Sequence, residues 1–204
     1  MGISDRKERE KQEMKRLIID AALRMFVEDG YEKTSIRNIA DKIEYSPGTI
    51  YLYYKDKDEL LYAVQKEAFS KMLETFQAEA TSRSPWKRLE QIAYSYVNFG
   101  INHPDLYDLM FIIRAPMNTA EKKGDWENGD DCFKYLTDTI GDCMEKGLLR
   151  YTDPRVAALS IWSMGHGLVS LQVRCRFKVM QLADEQMSQM INLTIREFLR
   201  TIKA

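Results

Sequence analysis

Between Ser46 and Lys57 the chain places Ser46, Thr49, Tyr51, Tyr53, Lys55 and Lys57, six side chains that can donate a hydrogen bond to phosphate. Phosphate oxygens accept from hydroxyls, lysines, backbone N–H groups and helix N-termini, and such contacts set the register of a protein on a duplex. Gly48 removes a side chain where backbone must come close to DNA or to another helix. A short helix with small residues in its first turn can enter a major groove about 12 Å wide. This chemistry recognises a polyanion and makes no bonds.

Residues that would make or break bonds are sparse. The chain has no G-x-x-x-x-G-K-[ST], no G-x-S-x-G and no H-E-x-x-H. With two histidines, a Ser–His or Cys–His pair would have to use His103 or His166, and nothing near either suggests an activated nucleophile. Cys132, Cys143 and Cys175 are an odd set without C-x-x-C spacing, which fits a reducing compartment better than a disulfide framework or a zinc ribbon. No enzyme activity, cofactor or metal is expected.

The elements that must position the donors read as helix throughout. A first helix spans about Lys11 to Glu28, with Ile18, Ala22, Met25 and Phe26 on its apolar face and Gly30 placed to end it. Thr34 or Ser35 caps a second, Ile36 to about Lys42, with Ile36, Ile39, Ala40 and Ile43 inward. Ser46 as N-cap and Pro47 as first helical residue open a short third helix to about Tyr53. Asp56 and Glu59 outline a capping box for a fourth. Further helices are expected over Trp86–His103, Pro104–Arg114, Asp130–Lys146, Pro154 to about Lys178 and Asp184–Ile202, with a loop over Met117–Asn128. Three short helices with a tight link before the third form the pattern of a helix-turn-helix.

At 204 residues there is ample chain for a self-sufficient core. The balance of 30 basic and 31 acidic residues, net −1, means that any nucleic-acid contact comes from a local surface. Lys33 to Lys57 holds five basic and three acidic residues, only +2. Modest non-specific DNA affinity follows, with tight binding needing two subunits on a matching site. The charged stretch Met1 to Arg16 has no apolar segment behind it, so no secretory signal is expected. Val156 to Val173 carries no formal charge, but Ser160, Ser163, His166, Ser170 and Gln172 interrupt it, favouring a buried or dimer-forming helix over a membrane span.

The first 60 residues resemble the TetR (tetracycline-repressor-like) family of bacterial regulators. The resemblance rests on F-x-x-x-G-Y at Phe26 to Tyr31, T-S-I-R-N-I-A at Thr34 to Ala40, and S-P-G-T-I-Y-L-Y-Y-K-D-K-D-E-L-L at Ser46 to Leu61. It implies that Thr34, Ser35 and Arg37 lie near phosphate and a base edge. Ser46, Pro47, Thr49 and Leu52 would face the groove, Tyr51 would pack or touch phosphate, and Tyr53 and Lys57 would hold the backbone. Gly48 and Lys55 belong to the same surface. Two positions depart from the pattern. Glu44 stands where the family often has Gly, at a cost of roughly 1 kcal/mol if the backbone there is left-handed. Leu52 stands where His is frequent, and it can touch a thymine methyl but cannot donate to a base.

W-S-M-G-H-G at Trp162 to Gly167, with H-P-D-L-Y at His103 to Tyr107, is similar to a TetR subgroup with a W-x-x-x-H-G effector domain. The resemblance implies a helical effector domain whose last two helices, about 154–178 and 184–202, pair with a second subunit. Phe99, His103, Tyr107, Phe111, Arg114, Trp162 and His166 are the candidate effector contacts, with core packing as the competing role for the aromatics and histidines. Arg114 is the candidate partner for an acidic group.

The expected architecture is all-α: a helix-turn-helix head over 1–60 with a linking helix to about 78, then an effector-binding and dimerisation domain over 79–204. The expected function is a cytoplasmic, homodimeric, ligand-responsive repressor of a near-palindromic operator, its partners being double-stranded DNA and an unidentified small molecule. A helical small-molecule binder or enzyme with a vestigial head stays open, motivated by Glu44 and the near-neutral head.

Overall fold

The computed structural model describes residues 3–113 and 128–204, with side chains from Asp5 onward. Those residues form nine α-helices and one short 3-10 helix: α1 Ile3–Glu28, α2 Ile36–Lys42, α3 Pro47–Tyr51, α4 Lys57–Glu79, α5 Pro85–Asn102, α6 Pro104–Phe111, α7 Asp130–Glu145, α8 Pro154–Val173, the 3-10 helix Arg176–Met180, and α9 Asp184–Ile202. The all-helical expectation holds.

The chain divides into two compact units, Met1–Phe69 with Asp105–Asn128, and Ser70–Pro104 with Gly129–Ala204. The first differs from the division read from the sequence in taking in α6. Its core joins Ile18, Ala22 and Phe26 of α1, Ile36 and Ile39 of α2, Ile50 of α3, and Leu60, Leu61 and Val64 of α4, and Leu109 of α6 completes it. Gln65 Nε2 reinforces that closure by donating to the Leu109 carbonyl at 2.6 Å in a buried position. A neutral buried amide bonded to a backbone carbonyl avoids the cost of an unpaired donor.

Local rules explain most ends in this unit. Gly30, at φ +87°, ends α1 in the left-handed region. Ser35 rather than Thr34 caps α2: Ser35 Oγ accepts from Asn38 N at 3.1 Å, and Ser35 N donates to Asn38 Oδ1 at 3.1 Å. Ser46 caps α3, its Oγ accepting from Thr49 N at 3.3 Å, and Asp56 accepts from Glu59 N at 2.8 Å to start α4. Two expectations are corrected. α1 begins at Ile3 and not Lys11, because Arg6–Glu10 and Arg9–Glu13 pair one turn apart and support a polar helix start. α3 ends at Tyr51, with Leu52 as its C-cap.

In the second unit α5 packs against α7, α8 and α9. Its buried row runs through Leu89, Ile92, Ala93, Val97 and Phe99. Arg88 Nε donates to Thr139 Oγ1 at 3.2 Å, and the same guanidinium pairs with Asp142, tying α5 to α7. The chain end is held by Arg150 N to the Ile202 carbonyl at 3.0 Å and Ala204 N to the Leu148 carbonyl at 3.1 Å. α8 stops at Val173, short of the expected Lys178, because Cys175 sits at φ +54°. By length and composition α8 could cross a membrane, and 28% of its 18-residue apolar window is buried within the chain. Val156, Leu159, Trp162 and Leu171 are its exposed apolar side chains, and Met190 and Leu193 are those of α9.

Candidate nucleic-acid interface and effector residues

The head presents α3 outward from a closed core. Ile50 is fully buried and anchors the helix, while its neighbours Tyr51 and Leu52 are 54% and 83% exposed. Ser46, Gly48 and Lys55 are exposed, and Pro47, Thr49 and Tyr53 are half-buried. Ser46 Oγ lies 3.1 Å from Thr49 Oγ1, so the two hydroxyls at the start of α3 form one polar edge. Ser35 and Arg37 are exposed at the start of α2. The exposed donors thus lie on a surface of α2, which packs against α3, on α3 itself and in the turn into α4.

Two expected members of that surface face inward. Thr34 is 2% exposed. Its Oγ1 lies 2.9 Å from the Gly30 carbonyl and 3.2 Å from that of Met25, so it holds the end of α1 and does not face phosphate. Lys57 Nζ donates to the carbonyls of Tyr31 at 2.9 Å and Thr34 at 3.1 Å. One exposed donor escaped the sequence reading: Tyr45, 43% exposed in the turn before α3. An aromatic belonging to no apolar stripe, one residue before an N-cap, was the sign that could have found it.

Glu44 adopts φ +60°, the left-handed value at which a side chain is strained. It is exposed two residues before Ser46, so its carboxylate borders the donor surface. Glu44→Gly is expected to stabilise the protein by about 1 kcal/mol and to raise DNA affinity severalfold, by removing both the strain and a like charge beside phosphate. Thermal unfolding and titration of a fluorescent duplex read the two effects separately.

The effector candidates are divided between the units. In the first, Tyr107 is buried, with its ring 5.3 Å from Phe111, which in turn lies 5.3 Å from Phe69. In the second, the Phe99 and His103 rings lie 5.0 Å apart, and burial followed by nearby Lys71 lowers the His103 pKa. Arg114 lies outside the described residues.

Trp162 and His166, four residues apart on α8, meet on one hydroxyl. Trp162 Nε1 donates to Tyr96 Oη at 3.1 Å, and Tyr96 Oη lies 3.3 Å from His166 Nδ1. Burial, then Arg174, pushes the His166 pKa below its ordinary 6.5 and favours the neutral ring. A neutral imidazole with its proton on Nε2 lets Tyr96 accept from Trp162 and donate to Nδ1. Gly165 makes room for this: a Cβ there would come within 3.0 Å of Tyr96 Cδ1. The W-x-x-x-H spacing therefore has a local cause, two polar aromatics on one flank of α8 that share Tyr96, with Gly165 between them leaving room for the Tyr96 ring.

A three-helix head with an outward, donor-rich third helix, joined to a separate helical unit, defines a helix-turn-helix DNA-binding regulator. The particular family is settled by comparison. Residues 18–64 match the bacterial regulatory proteins of the tetR family, and residues 89–194 match the tetracyclin repressor-like C-terminal domain. The HTH-type transcriptional regulator HbdR of Aromatoleum sp. (strain CIB) is 38% identical over 164 residues, covering 76% of this chain and 68% of that protein. The chain belongs to the TetR family. The fatty acid metabolism regulator protein of Bacillus subtilis is 33% identical over 70 residues, 34% of this chain and only 36% of that protein. Among solved structures, the transcriptional regulator FadR from Bacillus subtilis in complex with stearoyl-CoA superposes with a TM-score of 0.71 at 21% identity, covering 90% of this chain and 96% of that one.

Proposed function

We propose that the protein is a cytoplasmic, homodimeric repressor that holds a near-palindromic operator through α3 of each subunit and is released by a small molecule bound in its helical second unit. The observation that carries this reading is the exposed end of α3, Tyr51 and its C-cap Leu52, mounted on the buried Ile50. Ser35, Arg37, Ser46, Pro47, Gly48, Thr49, Tyr51, Leu52, Tyr53 and Lys55 form the proposed contact surface, with Leu52 against a thymine methyl and Arg37 near a base edge. The outward apolar rows of α8 and α9 support a second copy over a membrane: they carry small and polar residues among the apolar ones, as at Ser163, Gly167 and Ser170 of α8. A two-fold pair of heads places the recognition helices about 34–36 Å apart, one helical turn of DNA.

The effector can release DNA only to the extent that it binds the non-binding state more tightly. The neighbour captured with stearoyl-CoA makes acyl thioesters the first effectors to try. The test is selection of a preferred duplex at moderate salt, then titration with acyl-CoAs of graded chain length against free coenzyme A. A selected palindrome released by an acyl-CoA and not by coenzyme A supports the reading. No preferred duplex rejects it in favour of a helical binder with a vestigial head. A preferred duplex that no thioester releases removes the thioester class.

A further inference from the structure

Lys57 and Asp58, the first two residues of α4, both grip the turn between α1 and α2. The Lys57 ammonium donates to the Tyr31 carbonyl at 2.9 Å and the Thr34 carbonyl at 3.1 Å, and it sits 4.1 Å from the centre of the Tyr31 ring. The Tyr31 hydroxyl donates to the Asp58 carboxylate. The same ring packs edge-on against Phe26 of α1, with centroids 5.3 Å apart. Thr34 closes the turn from the other side through its hydroxyl. Ser35, the cap of α2, is the next residue.

An ammonium has three donors. Two are placed on carbonyls and the cation rests over a ring, so Lys57 cannot reach outward to a phosphate without leaving its seat. Resting on the reading of this chain as an operator-binding regulator, we propose that Lys57 serves DNA binding as a positioning residue. It pins the turn that carries Ser35 and Arg37 to the start of α4, and so fixes the α2 edge of the interface relative to α3.

The test uses the full-length protein and a selected operator duplex, with affinity measured across a range of salt concentrations well below each variant's melting temperature. Lys57→Met is expected to weaken binding about tenfold, as for loss of hydrogen bonds from a charged group. The slope of log affinity against log salt should stay at the wild-type value, because the protein neutralises as many phosphates as before. Asp58→Asn should weaken binding in the same way, and combining it with Lys57→Met should cost less than the product of the two. Lys57→Arg guards against a Met variant that fails to fold. A planar guanidinium does not fit a seat made for an ammonium on two carbonyls, so Arg should bind weakly if Lys57 positions, and as wild type if it touches phosphate. A slope shallower by about 0.9 for each phosphate no longer neutralised, with Asp58→Asn silent, overturns the proposal in favour of direct phosphate binding by Lys57. Unchanged affinity in folded Lys57→Met also overturns it, leaving a role in stability alone. If the wild-type protein binds no duplex at all, the regulator reading fails and the proposal falls with it; wild-type binding with either overturning result sinks the proposal alone.

Discussion

Leu159→Arg is expected to leave a folded monomer whose operator affinity is at least a hundredfold below wild type. Leu159 is 60% exposed on α8 and Val156, one turn earlier, is 51% exposed. On a helix, Val156, Leu159, Ser163, Gly167 and Ser170 fall on one outward face, opposite the buried Ala157, Ala158, Ile161, Gly165 and Leu168. A Cβ added at Gly167 would meet nothing within 4 Å among the described residues, so at that point no described part of the single chain covers this face. In a two-fold dimer every residue of the face is used twice. Losing two buried leucine side chains removes about 3–6 kcal/mol, two to four orders of magnitude in the dimer dissociation constant. Two arginines close to the two-fold axis would also repel. Operator binding follows because joining two heads raises the effective concentration of the second, a gain of about 10²–10⁴ in avidity that a monomer forfeits. Sedimentation gives the oligomeric state, circular dichroism confirms the helices, and a duplex titration gives the affinity. A variant that remains dimeric places the subunit contact elsewhere.

Ile50→Ala is the complementary case: a dimer that no longer reads DNA. Ile50 is fully buried and is the one residue of α3 in the core of its unit, where it joins Ile18, Ile36, Ile39 and Leu61. A helix of five residues has too few internal hydrogen bonds to persist alone, so its position depends on that anchor. Removing three methyl or methylene groups from a closed core costs about 2–5 kcal/mol, a large share of a stability of about 5–15 kcal/mol. Hydrogen exchange should accelerate across α2 and α3, operator binding should drop out, and sedimentation should still find the dimer, since α8 and α9 have a separate core. Operator affinity within twofold of wild type would mean that α3 is not held by Ile50.

Much of the head was legible because its rules are local. Ser46 and Pro47 announce α3 through capping chemistry and a fixed φ, and both act as read. Glu44 was legible as a conditional strain, and its φ of +60° meets the condition. What escaped depends on distant parts of the chain. Thr34 and Ser35 are equally good caps by type, and only the carbonyls of Met25 and Gly30 decide that Thr34 turns inward. Lys57 looks like a free lysine until Tyr31, 26 residues earlier, is folded beneath it. Trp162 and His166 could be placed on one side of a helix by spacing, but their shared partner Tyr96 lies 66 residues upstream of Trp162 and leaves no local trace. At the start of α1 the apolar face that marks a helix begins late, and ion pairs four residues apart carry the helix back to Ile3.

The closure of the head by Leu109 bears on how the protein is made. Gln65 waits for a carbonyl 44 residues further along the chain. At a synthesis rate of about 5–20 residues per second, that stretch takes roughly 2–9 s to appear. Through that interval the head holds α1 to α3 and a growing α4 but lacks the side chain that roofs its core, and the Leu109 carbonyl that Gln65 Nε2 bonds has yet to be made. The DNA-reading surface is therefore synthesised ahead of the second unit but cannot finish folding when its own helices α1 to α4 have emerged. Its maturation is tied to a helix encoded after α5, so a ribosome that stops at the end of α4 releases a reader without its roof.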